Sequence, residues 1–135
     1  MRVVGFFLFL CLCVGMKAQT TLKGNFVDWK NKIHLKLDLE HESVLVPGME
    51  FLGMTNGYMN GDIYGVWMVT SSKVIDQQFV VKFTNDFGSE SQVVHFTLKN
   101  DSTLLYEAQE PTVIKKAVKR KLYKIPSKLT FIRQK

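Results

Sequence analysis

The sequence has little cysteine, little proline and no apolar run long enough to form a membrane-spanning helix. Its two cysteines, Cys11 and Cys13, both lie within the first 18 residues. The remainder of the chain therefore offers no disulfide and no thiol chemistry. The apolar run over residues 3–14 is about twelve residues long, whereas a transmembrane helix needs ~20. The sequence predicts neither cysteine-based function nor a helical membrane span.

The first 18 residues have the pattern of a secretory signal peptide. Arg2 provides the basic start, an apolar core follows, and Ala18 is a small residue before the predicted cleavage site. Cleavage after Gln19 is the alternative. The Ala-Gln junction resembles those of exported bacterial proteins. Lipidation is not expected, because a lipoprotein signal has a small residue before the modified cysteine, whereas leucine precedes both Cys11 and Cys13. We predict a secreted or periplasmic protein in which residues 19–135 form a single domain.

Acidic residues are absent from the end of the chain. Residues 111–135 contain nine basic and no acidic residues, whereas residues 19–110 contain seven basic and twelve acidic ones, net −5. A basic segment of this kind attracts phosphate, anionic lipid or acidic polysaccharide. We expect the segment either to bind a polyanion or protein partner or to form a solvated surface. Nucleic acid is not expected as a partner of an exported protein.

Short runs with strand character fill most of the chain. Residues 33–39 alternate apolar with polar side chains, and residues 92–99 repeat the pattern. Pro47-Gly48 predicts a type II turn. The Asn-Gly pairs at residues 56–57 and 60–61 predict tight hairpin turns. The uncharged run over residues 63–70 is apolar on both faces and is placed at the centre of the sheet. Eight or more short strands predict an all-β antiparallel barrel or sandwich.

One segment near the C-terminus has helical spacing. Its apolar residues recur at i, i+1, i+4 and i+5, at Val113, Ile114, Ala117 and Val118. Pro111 suits the first turn of a helix. These observations predict a short amphipathic helix over residues 111–120, with a basic edge strand as the alternative. A helix before the last strand favours a barrel over a sandwich.

Three short elements resemble those of the lipocalin-like barrels. Gly24-Asn25-Phe26 is similar to their Gly-x-Trp, with Phe in place of Trp. Thr84-Asn85-Asp86-Phe87 is similar to their Thr-Asp-Tyr loop, with one residue inserted, and Arg133 matches the arginine of their last strand. The resemblance implies an up-and-down barrel with Arg133 lying over Phe26 as a cation–π lid at its closed end. It also implies a small apolar or amphipathic ligand inside the barrel.

The predicted ligand-lining residues are aromatic and lie on apolar faces of the predicted strands: Trp67, Phe79, Phe96 and Tyr106. Trp67 shares a face with Ile63 and Val69, and whether that face lines an open cavity or a filled core is left open. The leading hypothesis is therefore a lipocalin-like binding protein. The alternative is an interaction module with a filled core, which binds a protein or an acidic glycan through its surface.

No pattern of catalytic or metal-binding residues emerges. The histidines His34, His41 and His95 lack metal-ligand spacing, and we expect solvated side chains. The clustered methionines, Met49, Met54, Met59 and Met68, are expected to fill apolar space. Asp38, Glu40 and Glu42 alternate along the chain, as in a solvated rim. The sequence therefore predicts no enzyme, no metal and no cofactor.

Overall fold

The computed structural model describes residues 21–135, so the predicted signal peptide of residues 1–18 lies outside the described residues. In this range the chain forms strands and a single turn of 3-10 helix, Glu50–Leu52. The strands are β1 Lys23–Asp28, β2 Ile33–Asp38, β3 Val44–Leu45, β4 Met54–Thr55, β5 Gly57–Gly61, β6 Trp67–Ile75, β7 Gln78–Asn85, β8 Ser91–Leu98, β9 Thr103–Ala108, β10 Lys115–Val118, β11 Lys121–Lys124 and β12 Lys128–Arg133.

Eight of these strands close into an antiparallel barrel. Their order around it is β1-β12-β9-β8-β7-β6-β5-β2, and each strand pairs with its neighbours in the chain once the two short hairpins are set aside. These hairpins are β3–β4, inserted between β2 and β5, and β10–β11, inserted between β9 and β12. The all-β prediction is confirmed, and the structure decides for a barrel with up-and-down topology over a sandwich.

The alternation of strand directions gives the barrel two different ends. We call one the Arg133 end: it holds the start of β1, the end of β12 and the β8–β9 turn. We call the other the hairpin end, since it holds the β7–β8 turn and the β10–β11 hairpin. The two ends therefore carry different loops and side chains.

The interior of the barrel is packed with apolar side chains. Alternate residues of each strand point inward, as the 33–39 alternation predicts: Ile33, Leu35 and Leu37 are each at most 1% exposed. A barrel of eight strands is just wide enough for side chains to fill it or for one small ligand to fit. The largest fully buried side chains include Phe26, Phe83, Phe96, Tyr106 and Phe131.

The predicted helix over residues 111–120 is wrong. The chain there enters β10, turns at Lys119 and Arg120, both with positive φ, and returns as β11. The extended form lets the Lys115 carbonyl accept from the Tyr64 N–H at 2.7 Å, a bond between segments that periodicity does not reveal. The apolar stripe is also split, because Ile114 is buried whereas Val118 is 40% exposed.

The Asn-Gly pairs do not form the predicted hairpin turns. Gly57 begins β5 and Gly61 ends it, and both lie opposite β2. A side chain at Gly57 would collide with the carbonyl oxygen of Lys36, so glycine is needed for close strand approach and not for a turn. The uncharged run is likewise divided, because residues 62–66 form a loop and only Trp67 onward belongs to β6.

Side-chain acceptors organise several of the turns. The Asp28 Oδ1 accepts from the Lys30 N–H at 3.1 Å, and the Asn100 Oδ1 accepts from the Thr103 N–H at 2.9 Å. Asx side chains stabilise turns by replacing a backbone acceptor in this way. The predicted Pro47-Gly48 turn is confirmed: Gly48 has φ 79°, and the Met49 N–H donates to the Val46 carbonyl at 2.9 Å.

Candidate functional site

The structure brings three of the four predicted ligand-lining residues together. Phe79, Phe96 and Tyr106 lie opposite one another on β7, β8 and β9, in one row across the sheet. Trp67 lies apart from this row, at the hairpin end of β6. All four side chains are at most 2% exposed, so they belong to the packed interior.

These aromatic rings contact one another directly. The Phe96 ring meets Tyr106 edge-on at a centroid distance of 5.6 Å and Phe83 at 6.2 Å. Tyr106 in turn lies 5.9 Å from Phe131. Edge-to-face contacts at these distances are favourable, and they fill this part of the interior with side chains.

The barrel interior holds a phenol hydroxyl, that of Tyr106. The Tyr106 hydroxyl is buried and has no hydrogen-bond partner within residues 21–135. Burial raises the pKa of Tyr106 above its ordinary value, because the ionised form would lose its solvation. The phenol is therefore neutral at physiological pH and can serve as a donor or an acceptor inside the barrel.

The Arg133 end is closed as the lipocalin resemblance predicts. The Arg133 guanidinium lies 4.8 Å from the centroid of the Phe26 ring, and its Nε donates to the Asp101 carbonyl at 2.7 Å. Gly24 leaves room for the guanidinium, because a side chain there would collide with it. Thr84-Asn85-Asp86-Phe87, in contrast, lies at the hairpin end and does not join this cluster.

The hairpin end carries a cup, which is open to the surface and has a volume of about 280 Å³. Its walls come from the loop before β6, the β7–β8 turn, the segment before β10 and the β10–β11 hairpin. Ile114 and Ile125 are buried at the root of the hairpin and belong to the apolar core of the barrel.

Hydrogen bonds fix the walls of the cup. The Trp67 indole Nε1 donates to the Tyr64 carbonyl at 3.2 Å, which ties the loop to β6. The buried Gln92 amide spans the other wall: its Oε1 accepts from the Val113 N–H at 2.7 Å, and its Nε2 donates to the Gln109 carbonyl at 2.9 Å. The Asn85 Oδ1 accepts from the Ser89 N–H at 2.9 Å and holds the turn between β7 and β8.

The cup is amphipathic. Its apolar lining consists of Tyr64, Trp67, Phe87, Val113 and Leu122, and its charged residues are Asp86, Glu90 and Lys115. Phe87 is 70% exposed and Tyr64 is 54% exposed. The Asp86 Oδ1 is buried and has no hydrogen-bond partner among the described residues. A buried acceptor without a donor is costly, so a bound donor would be favoured there.

Of the cup residues, the sequence identified only Trp67 as ligand-lining. In the sequence, Asp86 and Phe87 belong to the loop element that resembles the lipocalin motif, and Lys115 belongs to the basic C-terminal segment. No local spacing connects these residues, because the walls come from separate segments at residues 64–67, 85–90, 113–115 and 122, which the barrel brings together. The signal available in the sequence is an aromatic residue, Phe87, within a turn-like segment, since exposed apolar groups can mark binding surfaces.

The histidines, the methionines and Asp38 lie in different surroundings. His34 and His41 are exposed and His95 is partly exposed, and no metal-binding group of three ligands occurs within residues 21–135. Met59 is buried, but Met54 is 52% exposed and fills no core. The prediction that Asp38 lies on a solvated rim is wrong, because its side chain is buried and only 1% exposed.

Comparisons with known proteins supply no relative from which to transfer a function. No protein-family model matches the chain, and no significant match is found among curated proteins or solved structures. A search of residues 21–135 for helices with the length and apolar character to cross a membrane finds none.

Proposed function

We propose that the protein is an exported, lipocalin-like binding protein that holds a small amphipathic molecule in the cup at the hairpin end of the barrel. The observation that carries this proposal is that one open cavity of about 280 Å³ is lined both by apolar side chains and by Asp86, whose buried Oδ1 has no hydrogen-bond partner among the described residues. Concave sites with apolar walls and few polar groups are typical of small-molecule binding.

The packed interior favours the cup over the barrel as the ligand's location. Trp67, Phe79, Phe96 and Tyr106 are buried against other side chains, so a ligand in the interior would have to displace some of them. A ligand in the cup contacts Trp67 only at the cup's inner wall and requires no such repacking. The cup therefore preserves the predicted class of ligand but changes its location.

The charges of the cup favour a ligand with a hydrogen-bond-donating head. Asp86 and Glu90 contribute two carboxylates and Lys115 one ammonium group. A primary amine would pair with the Asp86 carboxylate, and an aromatic or alkyl body would pack on Phe87 and Leu122. Cations also interact favourably with aromatic faces such as that of Tyr64.

A matched pair of probes tests the proposal. We expect 4-phenylbutylamine to bind with at least about tenfold higher affinity than 4-phenylbutanoate, a difference of ~1.4 kcal/mol, as measured by isothermal titration calorimetry. Asp86→Asn should reduce this preference, because the uncharged amide attracts the ammonium group less strongly. Equal affinities for the two probes would contradict the role of Asp86.

Two exposed aromatic residues test where the ligand binds: Phe87 lines the cup, and Trp29, which lies outside the cup, is the control. Phe87→Ala should weaken amine binding about tenfold or more, while Trp29→Ala should leave it unchanged, because Trp29 is 65% exposed at the same end but outside the cup. Tyr106→Phe should have no effect. If Tyr106→Phe weakens binding and Phe87→Ala does not, the ligand lies inside the barrel. Native mass spectrometry of protein from its own host would identify the natural ligand.

The filled-core interaction module is the second candidate. The ring contacts of Phe96 and Tyr106 favour it over a ligand held inside the barrel. It predicts that protein from its own host carries no small molecule and that neither phenylbutyl probe binds.

A further inference from the structure

The β10–β11 hairpin is a strongly basic element that projects from the barrel. From residue 115 to residue 124 it contains six cationic side chains and no acidic one: Lys115, Lys116, Lys119, Arg120, Lys121 and Lys124. None of the six forms an ion pair with an acid in the part of the chain that the structure describes. Their charge is therefore available to a partner.

The hairpin has two faces with different surroundings. The cross-strand pairs Lys116–Tyr123 and Val118–Lys121 share one face, since residues directly opposite on two strands point the same way. The other face carries Lys115 and Leu122, which line the cup. We call the first set, Lys116, Val118, Lys121 and Tyr123, the outward face.

Apolar side chains stand between the cations. Val118 is 40% exposed, Tyr123 is 50% exposed and Leu122 is 49% exposed. At the tip, Lys119 and Arg120 have φ of 50° and 70°, as in the two-residue turns that connect hairpin strands. The tip therefore presents two cations ahead of a valine and a tyrosine.

We propose that the outward face of the β10–β11 hairpin docks the protein on an anionic lipid membrane. Lysine side chains reach toward anionic headgroups while their methylene stems and neighbouring apolar residues enter the interface. Tyrosine favours this boundary because its ring is apolar and its hydroxyl is polar. An acidic polysaccharide would engage the cations but offers no apolar phase for Val118 and Tyr123, so the membrane fits both properties of the face.

The charge of the rest of the protein should orient it relative to an anionic membrane. Residues 19–110 carry net −5, so an anionic surface repels the barrel wall and attracts the hairpin. Charged surfaces act over about one Debye length, ~10 Å at 0.1 M salt. The protein should therefore approach a membrane with its hairpin end first, which also brings the mouth of the cup toward the lipid.

Vesicle sedimentation tests the proposal. We expect binding to vesicles of 30% phosphatidylglycerol in phosphatidylcholine at 0.1 M salt, and much weaker binding to phosphatidylcholine alone. Because each basic residue near an anionic surface contributes roughly fivefold in affinity, Lys116→Glu with Lys121→Glu should weaken binding by about 25-fold or more. Lys36→Glu with Lys82→Glu, on exposed lysines of the barrel wall, makes the same change in net charge and should have a much smaller effect.

The apolar half of the outward face distinguishes lipid from polysaccharide. Val118→Ser with Tyr123→Ser should weaken vesicle binding severalfold without changing elution from a heparin column. Tyr123→Trp should show a blue-shifted fluorescence on binding. Absence of vesicle binding at 0.1 M salt, or retention on heparin with no effect of the serine variant and no blue shift, would overturn membrane docking. Retained binding of 4-phenylbutylamine by the Lys116→Glu, Lys121→Glu variant keeps this test separate from that of the cup.

Discussion

The two ends of the barrel are closed by different means. At the Arg133 end a residue of the last strand lies over the core: Arg133 covers Phe26, and its guanidinium donates to the carbonyls of Lys23 and Asp101 at 2.6 and 2.7 Å. At the hairpin end an inserted segment makes the closure with buried Ile114 and Ile125. The Arg133 end also carries an insertion, the short β3–β4 hairpin, but it is the β10–β11 insertion that lines the cup and exposes a row of basic side chains. The candidate functional surfaces therefore lie at the hairpin end.

The largest expected effect is at the root of the hairpin. Ile114→Ala should lower the free energy of unfolding by about 2–5 kcal/mol, because it removes a fully buried side chain and leaves a cavity. Val118→Ala, at the exposed part of the same hairpin, should change it by less than about 0.5 kcal/mol. Urea unfolding monitored by Trp67 fluorescence in a Trp29→Phe background would measure both. A cost below about 1 kcal/mol for Ile114→Ala would show that the hairpin does not close the barrel.

The closure at the Arg133 end should contribute less. Arg133→Met keeps an apolar stem over Phe26 but loses the charge and both hydrogen bonds to carbonyls, at a cost of roughly 1–3 kcal/mol. Lys135→Met, an exposed cation two residues further on, is the control and should be neutral. If the two variants unfold at the same urea concentration, the cation–π lid is an incidental contact.

The smallest expected effect is a pH dependence at Asp38, also at the Arg133 end. The Ser43 hydroxyl donates to the Asp38 Oδ2 at 2.6 Å and is the main cause that holds the pKa of Asp38 below its ordinary value. The N–H groups of His41 and Glu40 and the Lys23 charge lower this pKa further. Burial of Asp38 acts in the opposite direction. A lowered folded-state pKa gives stability that is present above the unfolded-state pKa of about 3.9 and is lost as pH falls through the folded-state value.

Acid titration of unfolding free energy tests this contribution. The stability advantage of the wild type over Asp38→Asn should shrink as pH falls from neutral through the folded-state pKa of Asp38. Ser43→Ala should shift the loss to higher pH, because it removes the donor with the largest effect. An advantage that stays constant down to pH 2 would mean that the carboxylate charge is not stabilised in the folded state.

Local pattern predicted the strands that form the barrel wall most accurately. The alternation over residues 33–39 corresponds to β2, Ile33–Asp38, because a strand with one face toward the core must alternate. The resemblance to the lipocalin-like barrels predicts that Arg133 lies over Phe26, and the structure confirms this contact. Both predictions concern residues in barrel strands. Along such a strand, side chains alternate between the inside and the outside of the barrel, so the sequence largely specifies which residues are buried.

The failures concern segments whose partners are remote in the chain. Residues 111–120 carry a stripe compatible with a helix, but hydrogen bonding to Tyr64 and the burial of Ile114 in the barrel select a hairpin. Gly57 suggested a turn, although the carbonyl of Lys36 on β2 is what requires it. The cup was missed for the same reason, because its walls meet only when the barrel closes.

The sequence by itself determined that the chain is built of antiparallel strands and that its basic residues are concentrated near the end. These are properties of periodicity and composition, which local side-chain chemistry sets. Only the tertiary structure decided that the strands close into a barrel, that Asp86, Phe87 and Lys115 line one cup, and that the basic residues share a hairpin with exposed Val118 and Tyr123. These features depend on contacts between distant segments, and such contacts are fixed by the packing of the whole chain.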